Sequence, residues 1–355
     1  MSEIKVNSIR SLNGANGPEI SGTVEMNSTG AMSLPRGDTT YRGGRGRGVF
    51  GGGYGQSQPC PDMNTIDYVT IATLGNAADF GDMTVSRSAG PGGSSATRGL
   101  FISGRFSPNS TWYNTIDYIT IQSTGNAFDF GDLIHNTNPH QRGTSNQIRS
   151  VYGGGYIVGG SNEWQNHIGY ITIASKGNSA DFGSFVHPGR RQYSGSNGTR
   201  GIFGGHRGAN PGSPGVGTNH IEYVNIASFG TAEDFGDTSR IAINTSGSMT
   251  SSTRMVMQGT INPSADNTID YITMASLGDA IDFGDVSTTM REFNSSTSNS
   301  TRGIFNTGST GLGTPTSNTI EYITIATTGN SQDFGDLTRL SGVGGALSDA
   351  HGGLS

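Results

Sequence analysis

The tripeptide Asp-Phe-Gly occurs six times along this 355-residue chain, with its phenylalanine at Phe80, Phe130, Phe182, Phe235, Phe283 and Phe334. In a protein kinase such an aspartate holds Mg²⁺, but that chemistry also needs a glycine-rich loop over the phosphates, a strand lysine and a His-Arg-Asp triplet. The chain lacks these, which excludes a kinase. The pairs Asp79/Asp82, Asp129/Asp132 and Asp333/Asp336, with Asn76, Asn126 and Asn330 nearby, are oxygen donors of the kind Ca²⁺ takes. A Ca²⁺ loop, however, gathers more carboxylates into one short segment. The expectation is therefore structural: the phenylalanine fills space between layers, and the aspartates close a turn or accept bonds from backbone N–H groups. The seven histidines, His135, His140, His167, His187, His206, His220 and His351, are scattered without metal-ligand spacing, so no metal or cofactor is expected.

A second series is Arg47, Arg98, Arg149, Arg200, Arg254 and Arg302. A residue placed once in every unit argues for architecture, and arginine's planar fork suits bonding a neighbouring carboxylate or carbonyl. A glycosidase would need non-repeating acids gathered at one face, and here few carboxylates other than Asp62 and Glu163 fall outside the repeat. No enzymatic activity is expected.

The elements that must position these residues follow from composition and repetition. There are 58 glycines, more than twice the ordinary share of about 7%. They follow no three-residue period, and regularly placed Ile, Tyr and Phe argue for an ordered fold. The formal net charge is −6 and lysine appears only at Lys5 and Lys176, which gives no electrostatic reason to expect nucleic acid. The single cysteine, Cys60, cannot form an internal disulfide. No apolar run approaches the roughly 20 residues that span a bilayer, and neither an export signal nor membrane insertion is expected.

Aligned on one tyrosine, the chain holds six copies of a segment typified by NTIDYVTIATLGNAADFGD, residues 64–82. The marker tyrosines are Tyr68, Tyr118, Tyr170, Tyr223, Tyr271 and Tyr322, a period of about 51 residues. Between copies lies a second half-motif, an arginine, a Gly/Ser/Thr stretch and then Thr-Arg-Gly-aliphatic-Phe, as at 199–203. Each unit reads as four short strands: a, of small residues; b, Gly-aliphatic-Phe-Gly; c, Ile-Asp-Tyr-Ile-Thr-Ile; and d, Asp-Phe-Gly-Asp. Strand c is apolar on both faces, as for a strand sheltered on both sides. Four-stranded sheets repeated at this period predict an all-β, six-bladed β-propeller over residues 36–355. The small-residue motif recurs, cut short, in residues 337–353. That segment is expected to supply strand a of blade one and close the ring, seven blades being the alternative.

The order of elements resembles the kelch class of propeller, whose glycine doublet is matched at Gly51-Gly52, Gly153-Gly154 and Gly204-Gly205. The chain departs from that class in placing phenylalanine where a tryptophan usually precedes strand d. Copper oxidases of similar shape use a tyrosine linked to cysteine, whereas Cys60 lies in the variable segment Gln58-Pro59-Cys60-Pro61. More narrowly, Asn-Thr-Ile-(Asp/Glu)-Tyr-Ile-Thr-Ile-Ala with Asp-Phe-Gly-Asp and Thr-Arg-Gly-Ile-Phe resembles the kelch-like virion proteins of tailed bacteriophages, notably of marine cyanophages. The resemblance implies a non-enzymatic structural subunit of tail, neck or fibre. It would be assembled in the host cytoplasm and partnered by other virion proteins and by further copies of itself.

Residues 1–35 lie outside the repeat and cannot bury a core. They are expected to anchor the chain to another virion subunit, by strand addition through Ile4, Val6, Ile9 and Arg10; the plainer reading is a tail that clasps the propeller. The b-to-c connections vary freely and carry both tryptophans. Trp112, Tyr113, Trp164, Tyr156, Arg105, His206 and Arg207 are therefore the candidate face for a host glycan or receptor. The competing reading is that the tryptophans merely pack over neighbouring loops. A cellular kelch-type interaction scaffold is a further alternative.

Overall fold

A computed structural model describes residues 46–55, 62–88, 90–106, 111–134, 142–155, 164–210, 213–242, 247–258, 266–290, 295–308, 317–340, 342 and 344–354. The proposed anchor residues Ile4, Val6, Ile9 and Arg10, together with Tyr156 and Cys60, lie outside the described residues.

Among the described residues, twenty-four strands form six antiparallel four-stranded sheets, arranged as a six-bladed β-propeller. Blade one contains β1 (Arg47–Gly51), β2 (Thr65–Thr70) and β3 (Ala78–Asp82). Blade two is β4 (Gly92–Ser94), β5 (Arg98–Phe106), β6 (Thr111–Thr120) and β7 (Phe128–Asp132); blade three is β8 (Arg142–Ser145), β9 (Arg149–Gly153), β10 (His167–Thr172) and β11 (Ala180–Ser184). Blade four is β12 (Gly189–Ser196), β13 (Arg200–Asn210), β14 (Ser213–Asn225) and β15 (Glu233–Ala242); blade five is β16 (Ser248–Thr250), β17 (Arg254–Gln258), β18 (Asp266–Thr273) and β19 (Ile281–Met290). Blade six is β20 (Ser296–Ser298), β21 (Arg302–Asn306), β22 (Thr319–Thr324) and β23 (Gln332–Asp336). The innermost strand of blade one is β24 (Gly345–Ser348), which pairs with β1 from Gly48↔Ser348 to Gly51↔Gly345. The late segment thus closes the ring as its composition suggested.

The apolar side chains form six wedges, each between consecutive blades. Phe80 and Ile66 of blade one meet Phe101 and Ile119 of blade two, and Ile304 and Phe334 of blade six meet Phe50 and Ile71 of blade one. The Asp-Phe-Gly phenylalanine sits in its wedge edge-on to the strand-c tyrosine, at 5.9 Å for Tyr68–Phe80 and 6.0 Å for Tyr271–Phe283.

The aspartates flanking it act differently from the expectation. Asp79, Asp129 and Asp333 are exposed, and the link between blades is made by backbone. The turn after strand c reaches the preceding blade, where Gly125 N–H donates to Phe80 O and Ala127 N–H to Asp82 O, both at 2.7 Å. Asn126 Oδ1 accepts the Asp82 N–H at 3.0 Å, and Asn76 Oδ1 accepts the Asp336 N–H at 3.1 Å. The asparagines singled out as Ca²⁺ donors are therefore blade-to-blade acceptors. This approach explains the strand-d glycine: a Cβ on Gly131, whose φ is +150°, would lie 2.4 Å from Gly177 O.

The arginine series bonds carbonyls. Arg47 Nη1 donates to Ile121 O of blade two at 2.8 Å, and Arg302 Nη1 to Ile71 O across the closure, also at 2.8 Å. Each guanidinium also lies over the strand-c tyrosine of its own blade, 4.7 Å from the Tyr68 centroid and 4.4 Å for Arg254 over Tyr271.

On the axis the inner strands are joined by hydroxyls. Ser94 Oγ donates to Ser348 O, Ser196 Oγ to Ser145 O, Ser248 Oγ to Ser194 O and Ser296 Oγ to Ser248 O, all between 2.6 and 2.9 Å. Ser295 Oγ returns to Gly344 O of blade one at 2.7 Å. Only small residues fit this spacing, which accounts for strand a.

Gly131→Ala is expected to cost more than 2 kcal/mol, because it adds a backbone clash to the strain of its φ. Gly125→Ala, with a similar φ of +153° but nothing within 4 Å of its Cβ, should cost only about 1 kcal/mol. Urea denaturation of the two variants measures the difference.

Candidate functional site: junction clamps, axial channel and loop face

The acidic residue of strand c, read in the sequence only as part of the repeat, is the polar centre of five of the six junctions. Asp67, Asp117, Glu222, Asp270 and Glu321 are all nearly inaccessible, at 0 to 3% exposure. Each faces the end of strand d of the preceding blade or the connection that follows it. Asp117 accepts from Thr84 Oγ1 at 2.7 Å and pairs with Arg87 at 3.1 Å; Asp67 accepts from Thr338 Oγ1 at 2.8 Å and pairs with Arg339 at 2.9 Å. Asp270 is held by Ser239 and by Arg240 at 3.2 Å, Glu222 by the Val186 N–H at 3.1 Å and His187 at 2.8 Å, and Glu321 by Ser287 and Ser331.

Burial pushes the Asp67 carboxyl above the usual range, and the Arg339 guanidinium and Thr338 hydroxyl pull it back. Burial likewise pulls Arg87 below its ordinary value, against the charge of Asp117.

Blade three has Gly169 where the others carry an acid. There the Tyr152 hydroxyl takes the space, 2.4 Å from where a Gly169 Cβ would lie, and donates to Ser179 Oγ at 2.6 Å. Burial pushes the Tyr152 phenol up to about 12. The signal was legible: where the acid is missing, strand b carries tyrosine in place of the phenylalanine of Phe50, Phe101, Phe203 and Phe305.

The axial channel, the usual place for a ligand between blades, is narrow here. One end is a cavity of about 70 Å³ lined by Pro91, Ser194, Gly247, Ser295 and Gly344, and the other a cavity of about 60 Å³ bounded by Ser94, Ser145, Thr250, Ser298 and His351. Each has room for a few waters. The second end is stoppered by the turn that follows β24. His351 Nδ1 accepts from the Gly353 N–H at 3.1 Å, and its Nε2 lies 3.1 Å from Ser145 Oγ and 3.3 Å from Ser94 O. Gly352 N–H donates to Thr250 Oγ1 at 3.2 Å, and a Cβ on Gly352 would lie 2.3 Å from Ser251 O. Asp349 accepts from the Arg47 N–H at 3.0 Å and from Gln122 Nε2 at 3.3 Å. Desolvation lowers His351 to about 4, so the ring is neutral at physiological pH.

The loop face brings together part of the sequence-proposed set. In blade two the expected loop is instead an extension of the β5–β6 hairpin, in which Arg105 opposes Trp112 and Gly104 opposes Tyr113. The Arg105 guanidinium lies 5.2 Å from the Trp112 ring centre, and Phe106 packs on Tyr113 at 6.5 Å. The hairpin springs from Ser103, which has φ of +59° where Gly52, Gly154 and Gly205 stand in blades one, three and four, and whose Oγ donates to Tyr113 O at 3.0 Å.

In blade four the expected loop is likewise strand, with His206↔Thr218 and Arg207↔Gly217 in register. Arg207 and Trp164 are half-buried. His206 is fully buried, hydrogen-bonded to Thr218 Oγ1 at 2.7 Å, and so does not present itself to a ligand. The fold also overturns the scattering of the histidines, since His187, His206 and His220 stack with ring centres 4.9 to 6.2 Å apart. Residues from three separate segments meet there, which sequence spacing does not reveal. Among the described residues no group of three His, Cys, Asp or Glu side chains is arranged to hold a metal ion.

Neither protein-family models nor curated proteins yield a match to this chain.

The neutral His351 sets a pH dependence. Between about pH 6.5 and 4 the unfolded chain binds a proton that the native ring refuses, so stability is full above 6.5 and falls as the pH drops toward 4. The loss should be on the order of 2 to 3 kcal/mol, discounted from the full shift because the residue is only partly buried. Melting temperatures of the native chain and of His351→Gln across this range measure it, the variant showing the smaller acid-side drop.

Proposed function

We propose that the chain is a non-enzymatic structural subunit of a phage virion, a tail, neck or fibre component. In this reading residues 1–35 hold it to a neighbouring subunit and the propeller forms a rigid displayed body. The observation that carries the reading is the use made of the repeating polar residues. The arginine series, the strand-c acids and the strand-a serines are engaged in joining blade to blade, while departures from the repeat concentrate at the ends of strands b and c. That division suits a scaffold that must keep its shape and vary one face. The phage setting rests on the resemblance of the repeated motifs to kelch-like virion proteins.

A second reading, an adhesin for a host glycan, is favoured by the Arg105–Trp112 pair on the extended β5–β6 hairpin. A planar aromatic beside a guanidinium offers stacking and hydrogen bonding together.

Mass spectrometry of gradient-purified particles is expected to find the chain at a fixed ratio to the major subunits, and its absence would overturn the structural reading. Trp112→Ala particles should assemble at wild-type yield. A fall of about tenfold in their adsorption to host cells would move the conclusion to the adhesin.

A further inference from the structure

The peptide groups of strand a alternate between strand b and the axis. Pro91 O accepts the Ile102 N–H and Ser295 O the Asn306 N–H, both at 3.0 Å, so the next residues, Gly92 and Ser296, turn their own N–H and C=O inward. Six residues share this level, one from each blade in ring order: Ala346, Gly92, Gly143, Ser194, Ser248 and Ser296. In blades four to six the residue is serine, and each hydroxyl donates to the preceding blade, at Gly143 O, Ser194 O and Ser248 O. Blades one to three carry no hydroxyl there, so Ser296 O, Ala346 O and Gly92 O receive none. Two positions further along strand a, the hydroxyls of Ser348, Ser94, Ser145, Ser196, Thr250 and Ser298 make a full set of six. The ring is therefore complete at the His351 end and half bare at the other, where the same six residues line the cavity of about 70 Å³.

A second departure from the repeat stands against that cavity. Gln258 ends β17 where other blades have Gly51, Ile102, Gly153 and Gly204. It is 0% exposed, and among the described residues neither its Nε2 nor its Oε1 has a hydrogen-bond partner. A buried carboxamide with both ends unmatched is costly and calls for a partner from outside the chain. A Cβ on Gly247 would lie 2.7 Å from Gln258 Nε2 and 2.5 Å from Ser296 Oγ. Gly247 and Ser296 both line the cavity, so only the bare backbone of one and the hydroxyl of the other stand between the carboxamide and the open space.

We propose that this mouth of the channel binds a small neutral polyhydroxyl ligand, a free polyol or the exposed end of a sugar, through the bare peptide groups and the Gln258 carboxamide. A hydroxyl both donates and accepts, which matches an N–H beside a C=O at each bare position and an NH₂ beside a C=O on Gln258. No charged side chain lines the cavity among the described residues, so neither a carboxylate nor an ammonium ion finds a counter-charge. The volume admits only a few heavy atoms, and a sugar therefore enters end-on. The cavity lies near the start of β16 (Ser248) and β20 (Ser296), the end at which strand d arrives and, in an antiparallel meander, also the end of the b-to-c connections. It uses neither Arg105 nor Trp112, so its failure and that of the adhesin reading are separate results.

Glycerol and methyl α-glucoside are the probes, titrated into the full chain while ¹H–¹⁵N spectra report the amides of Gly92, Ala346 and Ser296 and the Gln258 side-chain NH₂. Glycerol is expected to shift these signals saturably, with an affinity on the order of 1 to 10 mM. Saturation by the glucoside as well assigns the site to a sugar end, and saturation by glycerol alone assigns it to a free polyol. Gln258→Met, which keeps the volume at a place where blade two carries Ile102, should melt at or above the native temperature without a probe and bind at least about tenfold more weakly. Should that variant fail to fold, Gly143→Ser decides. A Cβ at 143 meets Pro91 Cβ at 3.2 Å and Gly92 O at 3.5 Å, so its hydroxyl occupies a bare carbonyl and should weaken binding to the same degree. Absence of saturable shifts with both probes means that water alone meets these groups and overturns the proposal, as does native affinity in Gln258→Met or, in its place, in Gly143→Ser.

Discussion

A single blade of this protein is apolar on both faces and can be sheltered only by another blade. That constraint governs everything else. The core is divided into six wedges, so each wedge needs partners contributed by two repeats, and the last wedge needs the first blade to meet the sixth. Closure by β24 is therefore a condition of burial for blades one and six, whose facing residues Phe50, Ile71, Ile304 and Phe334 would otherwise meet water. Burying each such side chain is worth roughly 1.5 to 3 kcal/mol, which exceeds the contribution expected of any one polar link.

The polar links set geometry. From rim to axis, a junction is fixed by the glycine turn on strand d, the arginine on the next blade's carbonyl, the clamped acid and the strand-a hydroxyls. Each removes a backbone or side-chain group from solvent only where a partner is supplied. The clamped acid is the most demanding, because a buried charge left without its partner costs several kcal/mol. The chain resolves that demand in four ways: an arginine, a histidine, paired hydroxyls at Glu321, or removal of the charge altogether at Gly169 with Tyr152 in its place.

Blade number, strand order and closure were legible in the sequence because repetition displays them six times over. The same repetition hid the buried acid: Asp67 in Ile-Asp-Tyr looks like the polar face of an ordinary strand, and its burial depends on a connection from a different repeat. The hairpin extensions of blades two and four were read as loops for a related reason, since Gly, Pro and Ser dominate them and their pairing is only partly set by apolar alternation. The histidine stack was beyond sequence reach, its members standing 14 to 33 positions apart and meeting only through the meander of blade four. Arg105, Trp112 and Tyr113 share one hairpin, whereas His206 followed the inward face of its strand.

Closure by a late segment also bears on how the molecule is made. A ribosome delivers blades one to six before β24 and the His351 turn emerge, so the nascent protein is first an open arc with two apolar end faces. Those faces match each other, and equally match the ends of a second arc. Until residues 345–354 arrive, intramolecular closure competes with joining end to end, and crowded synthesis favours the wrong partner. The short reach of β24, paired over four positions and pinned by Asp349 and the channel stopper, makes the final step local and quick once the segment is free.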